Sequence, residues 1–320
     1  MRYFQWTFLG ILLMITAATQ VQATTWDEPW MDAVIREADY FVLADVISVD
    51  EHKGAKIHIR QQFGGGNLPE DLEITNFYFL EMTSNSAGHG PEFHLPDSSE
   101  CYFFLKKNKK GEYCIPTPTT GFAYRDSGDV FATYRHSYHQ TKISVDIFEM
   151  TMQAIFNKAH RLKFDEAPIR AWIDEQLAKK PAGFEDGEIN DFFMQHVALE
   201  TIFHLRLTGY EKQVLPFFQD SINRHNRISA ARAMIANDSE ETKELLLEKI
   251  GSTEEDDFTK VICIWTLRAF KPKELKNRLK KLAPKASEEY TGFGGSIMDP
   301  RVGTHFPSVK QALEELIADL

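Results

Sequence analysis

The densest run of side chains able to do chemistry is FATYRHSYHQTK, which places Tyr134, Arg135, His136, Ser137, Tyr138 and His139 side by side. On a helix, His136 and His139 would share a face and supply two metal ligands, with two more needed from elsewhere. At a strand-to-helix joint the same side chains would satisfy backbone groups instead. The chain has no HExxH and no paired-cysteine zinc pattern, so the expectation is no metal and no cofactor. The nucleophile elbow Gly-x-Ser-x-Gly does not occur, and GGSIMDP around Ser296 lacks the second glycine and a preceding strand. No residue is therefore assigned as catalytic. The run Glu254, Glu255, Asp256, Asp257 precedes a helical pattern, where carboxylates complement the helix dipole.

QQFGGGNLPEDLEI raises the question of a phosphate loop. Such a loop needs a helix N-terminus after the glycines, because the helix supplies the oriented N–H groups. Here a second strand pattern follows, and no Gly-Lys-Ser/Thr ending exists. Gly64, Gly65 and Gly66 are expected to ease a strand-to-strand turn. His89 and His94 sit in a Gly/Pro/Ser-rich loop of surface character. SEEYTGFGGSIMDPRVGTHFPS is a long connection for a helical region, where about two to eight residues are usual. It carries Tyr290, Phe293, Met298, Asp299, Arg301 and His305. The candidate binding residues are thus Arg135, His136, Tyr138, His139, Asp299, Arg301 and His305.

The elements that must hold these residues change character near position 140. Before it, ADYFVLADVISVD, AKIHIRQQF, DLEITNFYFL, CYFFLKKNKKGEYCI and DVFATYR read as short strands joined by Gly, Pro and Asn turns. A small antiparallel barrel or sandwich is predicted. After it the period becomes helical, from TKISVDIFEMTMQAIFNKAHRL onward. DEAPIRAWIDEQLAKKP opens with Asp165 and Pro168 as helix-start signals. From about Glu188 apolar helices alternate with more charged ones at a period of roughly 30 residues.

The first residues, MRYFQWTFLGILLMITAATQVQA, show one basic residue, a short apolar run and a small-x-small end at Ala23. This reads as a secretory leader, 1–23, cleaved after Ala23, with no stable membrane span afterwards. The net charge is −11 and becomes −12 when Arg2 leaves with the leader. An acidic chain is not drawn to phosphate backbones, so nucleic acid is not an expected partner. Of the three cysteines, Cys263 lies in an apolar run. Cys101 and Cys114 flank the hairpin YFFLKKNKKGEY, which makes them the candidate disulfide of an exported protein.

Two resemblances add to this. ADYFVLADVISV, KIHIRQQFGGG, DLEITNF and CYFFLKK, in this order, resemble netrin-like and tissue-inhibitor-of-metalloproteinase-like secreted domains. The likeness implies an OB-type barrel. The cysteine that those inhibitors place at the mature N-terminus is replaced by Thr24-Thr25-Trp26, so their zinc-chelating route is missing. RISAARAMIANDSEETKELLLEKI and TKVICIWTLRAFKPKELKNRLKKL resemble HEAT-type repeats. That likeness implies an α-solenoid used for binding.

The expected fold is α+β in two domains. A β-barrel domain spans 24–142, a helical linker 143–186, and a HEAT-like domain 187–320. The expected function is an exported, periplasmic or extracellular, non-enzymatic protein that binds a protein or peptide partner. Two alternatives stand beside it. One is a metal-dependent or hydrolytic enzyme using segment 134–139; the other is a protease inhibitor acting through barrel loops.

Overall fold

The computed structural model describes residues 26–50, 54–75, 95, 98–294 and 302–320. The expected leader 1–23, His89, His94, Ser296, Met298, Asp299 and Arg301 lie outside the described residues.

The fold is α+β, a small β-barrel followed by a helical region. Strands β2 (Tyr40–Asp50), β3 (Gly54–Gly64), β4 (Asp71–Ile74), β5 (Glu100–Lys107) and β6 (Tyr113–Cys114) close in the order β2-β3-β4-β6-β5, with β5 pairing back onto β2. All these pairs are antiparallel except β4–β6, which runs parallel at Ile74 and Tyr113. β3 ends at Gly64, and the chain turns into β4 with no helix between. Gly65 has φ +92°, and a Cβ there would strike the Asp39 carbonyl. The glycines therefore serve a turn.

Period-two alternation on β5 explains its unbroken apolar run CYFFL. Cys101, Phe103 and Leu105 face the barrel interior with Val42, Ile57 and Ile74. Tyr102 and Phe104 face outward onto a second buried layer with Phe41, Phe148 and Phe156. Both faces of the strand are covered, so neither carries polar residues. Each buried Phe contributes on the order of 1.5–3 kcal/mol.

β7 (Phe122–Asp126), β8 (Asp129–Thr133) and β9 (Gln140–Ser144) extend the sheet beyond β5. The expected helix at TKISVD begins later than its apolar spacing predicts. Thr141 and Ile143 are buried and Lys142 is exposed in strand alternation. The helix starts only at Val145, after extended Ser144.

The helices among the described residues are α1 (Met31–Glu37), α2 (Val145–Ala159), α3 (Ala167–Leu177), α4 (Ile189–Leu205), α5 (Glu211–Phe218), α6 (Arg224–Ala233), α7 (Glu240–Gly251), α8 (Asp257–Phe270), α9 (Lys276–Leu282) and α10 (Val309–Asp319). Short polar side chains set several starts: Asn223, Ser239, Asp256 and Ser308 each accept from backbone N–H groups of the first turn. α6 packs between α4 and α8, and α8 packs against α7 and α10. α1 and α2 join the same apolar core as the helical region, which runs without interruption from the outer sheet face to α10. Among the described residues, no helix is long and apolar enough to cross a membrane.

The long connection after α9 contains order of its own. β10 (Gly292–Gly294) and β11 (Val302–His305) form a small sheet with β1 (Trp26–Asp27), which runs parallel to β11.

The candidate disulfide does not form. Cys101, Cys114 and Cys263 are free and buried. Cys114 sits opposite Lys106, five positions along β5 from Cys101, roughly 16 Å at strand rise. A disulfide needs α-carbons within about 7 Å. A hairpin places residues opposite one another according to register, and flanking a turn in sequence does not ensure it.

Candidate functional site

Segment 134–139 links β8 to β9, and it is turned inward. Arg135 and His136 are fully buried, Ser137 and His139 nearly so. The segment faces two helices whose polar residues recur at helical spacing. α4 presents His196 and Glu200; α6 presents His225, Ser229 and Arg232. Four residues make one turn of helix, so each set lines a single face.

Arg135 Nη1 donates to Ser229 Oγ at 2.9 Å and to the His225 carbonyl at 3.2 Å. Ser229 Oγ donates to Glu200 Oε1 at 2.8 Å, and Arg232 Nε donates to Glu200 Oε2 at 2.9 Å. A hydroxyl has one proton. Ser229 spends it on Glu200, so at 3.0 Å His196 Nδ1 must be the donor to Ser229 Oγ. The bare nitrogen of His196 is then Nε2, which has no hydrogen-bond partner. By the same reasoning His225 Nδ1, 3.0 Å from Arg135 Nη2, is an acceptor. His139 stacks on His196 with ring centroids 3.9 Å apart. Two protonated rings could not lie this close in a buried site. Burial first, then the Arg135 charge, pushes His139 well below its ordinary pKa. His196 is driven down by burial first and by His139 next. Burial and then Arg135 lower His225 to about 3.

His136 points to another neighbourhood. Its Nε2 donates to the Glu28 carbonyl at 3.0 Å, and burial lowers its pKa to about 4. Glu28 is itself buried, and its carboxylate accepts from the hydroxyls of Thr117, Thr119 and Thr120. Tyr138 lies under the Arg135 guanidinium, 5.3 Å from it, and edge-on to Phe258. His305 is exposed on β11, with Nδ1 2.5 Å from Asp27 Oδ1. The structure thus gathers Arg135, Tyr138 and His139 in one cluster, sets His136 at its edge, and leaves His305 apart on the surface.

The cluster contains a serine, a histidine and a carboxylate, yet it is wired for structure. A nucleophilic serine needs a histidine lone pair to take its proton. Ser229 gives its proton to Glu200, and His196 presents N–H to the oxygen. Ser229, His196 and Glu200 are all fully buried. Among the described residues, no three His, Cys, Asp or Glu side chains converge as a metal-binding group. What the arrangement can do is neutralise two interior guanidiniums and lock the β8–β9 connection onto α4 and α6.

Sequence reasoning missed Glu200, Ser229, His196, His225 and Arg232. The available signal was polar residues at i, i+4 within the apolar helix NDFFMQHVALETIFHL; helical spacing of that kind marks a face meeting a polar partner.

Accessible concavity lies elsewhere. A cleft of about 350 Å³ opens between the end of α4, α5, the turn after α6 and the start of α7. It has an apolar floor of Leu207, Val214, Leu215, Met234 and Leu245. A shallower trough of about 640 Å³ follows between α7 and α9. The two share Glu241 and Leu245, so they adjoin along α7 as two parts of an α7 groove. No family model, curated protein or solved structure matches the chain.

Proposed function

We propose that this chain is an exported, periplasmic or extracellular, non-enzymatic binding protein that takes a protein or peptide partner along the α7 groove. One observation carries the reading: two clefts adjoin at Leu245, the first floored by Leu207, Val214, Leu215 and Met234 and the second by Leu247 and Leu282, with charge at the rim. Helix-in-groove recognition uses apolar anchors at i, i+3/4 and i+7, and such a floor suits them. The rim selects among helices. Arg278 is already held by Glu244 through two hydrogen bonds. Across the two clefts the rim carries Glu211, Glu241, Glu244 and Glu248 against Lys212, Arg278 and Lys281, a small acidic excess. The occupant is therefore an amphipathic helical segment with a basic flank, drawn also by the net charge of −11.

The finer architecture belongs to the same reading. A five-stranded barrel closed through β2 and β5 supports an OB-type assignment. The row α4, α6, α8 and α10, covered by the more charged α5, α7 and α9, supports a HEAT-like stack.

Calorimetric titration with a Leu/Lys amphipathic peptide of roughly 15–20 residues tests the reading, with a Leu/Glu peptide as counterpart. The expected result is saturable binding of the basic peptide alone, weakened at least tenfold by Leu245→Lys and by Glu241→Lys/Glu248→Lys. Equal binding of both peptides, or none, or indifference to Leu245→Lys, overturns it. Turnover on ester, peptide, glycan or phosphate substrates that vanishes on one side-chain change would reject the non-enzymatic part.

A further inference from the structure

A second concavity lies away from the α7 groove and differs from it in chemistry. Two clefts of about 250 and 370 Å³ meet where α1, α2, the end of α4 and α8 converge, sharing Asp32, Arg36, Phe203 and Arg206. Trp30 and Trp265 wall the larger one, their rings edge to face at 5.8 Å. Combined, the space suits a ligand of small-molecule size.

The charge in this cleft opposes that of the chain. Arg36, Lys158, Arg206 and Arg232 line it, against a single carboxylate, Asp32. Asp32 lies 3.6 Å from Arg36, its neighbour four residues on. Arg206 and Lys158 make no ion pair with any described residue. Arg232 is 6% exposed and gives Nε to Glu200, while its Nη2 has no hydrogen-bond partner within the protein. An unsatisfied buried guanidinium N–H is unfavourable by about 1–3 kcal/mol.

The aromatic groups are arranged around these cations. The Arg232 guanidinium stands 3.7 Å from the centroid of Phe203 and 4.7 Å from Trp30. Arg206 stands 4.8 Å from the same Phe203 ring. Two like charges are thus held close to one ring. Burial, and next the Arg232 charge, hold the Arg206 guanidinium below its ordinary pKa. A bound anion would relieve this repulsion, and guanidinium groups match carboxylate and phosphate oxygens in paired hydrogen bonds.

We propose that the cleft walled by Trp30 and Trp265 and lined by Arg36, Arg206 and Arg232 binds a small aromatic anion, its ring against the tryptophans and its carboxylate or phosphate on the arginines. The site is separate from the α7 groove and would stand if no peptide bound there.

The test uses intrinsic tryptophan fluorescence of the full chain, since Trp30 and Trp265 would report occupancy. The probes are 2-naphthoate, 1-naphthyl phosphate, neutral 2-naphthalenemethanol and inorganic phosphate. The expected result is saturable quenching by one or both naphthyl anions, at least tenfold tighter than by the alcohol or by inorganic phosphate. The two anion arms decide between carboxylate and phosphate as the preferred group. Affinity should fall with added salt, and at least tenfold in Arg206→Gln. Glu200 depends on Arg232, so the test rests on Arg206→Gln and Lys158→Gln, whose side chains make no ion pair with a described residue. Equal binding of anion and alcohol, no binding of any probe, or full affinity in the Arg206→Gln/Lys158→Gln double variant overturns the proposal.

Discussion

Replacing Glu200 by Gln should destabilise the protein by about 3–5 kcal/mol. The substitution keeps the shape and removes one charge. Glu200 is fully buried, and so is Arg135, whose Nη1 lies 3.8 Å from Oε1; Arg232 is 6% exposed and donates to Oε2. One carboxylate therefore answers two interior guanidiniums. The amide also creates a local conflict. One of its terminal atoms becomes a donor, facing either the Ser229 hydroxyl or Arg232 Nε–H. Ser229 cannot turn away, because it already accepts from Arg135 and His196. The unpaired donor alone accounts for about 1–3 kcal/mol, and the uncompensated charge supplies the rest. Urea denaturation of the full chain, followed by far-UV circular dichroism, measures the change. Replacing the whole set, Glu200→Leu with Arg135→Met and Arg232→Met, should recover most of the loss, since apolar groups of similar volume need no partner. A loss below about 1 kcal/mol in Glu200→Gln would refute the reasoning, because a buried ion network cannot lose its only carboxylate so cheaply.

Acid should weaken the fold through its buried histidines. The folded pKa values of His136, about 4, and His225, about 3, lie below the ordinary 6.5, and His139, His196 and His204 are shifted the same way, all chiefly by burial. Their stabilisation is therefore present above pH 6.5 and is lost as pH falls from there toward 4 and 3. His136 and His225 should each forfeit about 2 kcal/mol by about pH 5, and urea midpoints at pH 7 and pH 5 check it. The three thiols should resist a thiol reagent in the native protein and react in denaturant, with a mass unchanged by reductant, because burial lifts Cys101 to about 12 and Cys114 to about 11. Gly65→Ala should cost about 1 kcal/mol or more on the same urea assay, since it combines φ +92° with a clash against the Asp39 carbonyl.

Local rules carried far into this fold. Strands at β2, β3, β5 and β8 were legible because Val, Ile and Phe alternate or run between turn residues. Asp165 and Pro168 marked the start of α3, where the Ala167 N–H donates to Asp165 Oδ1 and Pro168 lies in the first turn. What escaped depends on contacts distant in sequence. α1 is too short to show a period, and β1 exists only because β11 pairs with it from nearly the other end of the chain. Cys101 and Cys114 misled because a turn's position does not state the register of its strands. Segment 134–139 stood out by composition, but its surroundings could not be read without Glu200 and Ser229, which lie 61 and 90 residues beyond its end. A run rich in Arg, His and Tyr looks the same whether it faces solvent or a buried carboxylate.

The central claim is that the groove over α7 receives a basic amphipathic helix, and hydrogen–deuterium exchange with and without the Leu/Lys peptide tests it most directly. The account predicts slowed exchange along 207–215, 234–248 and 278–282, with the barrel unchanged and the protection abolished in Leu245→Lys. Protection spread over the barrel, or persisting in Leu245→Lys, would contradict it.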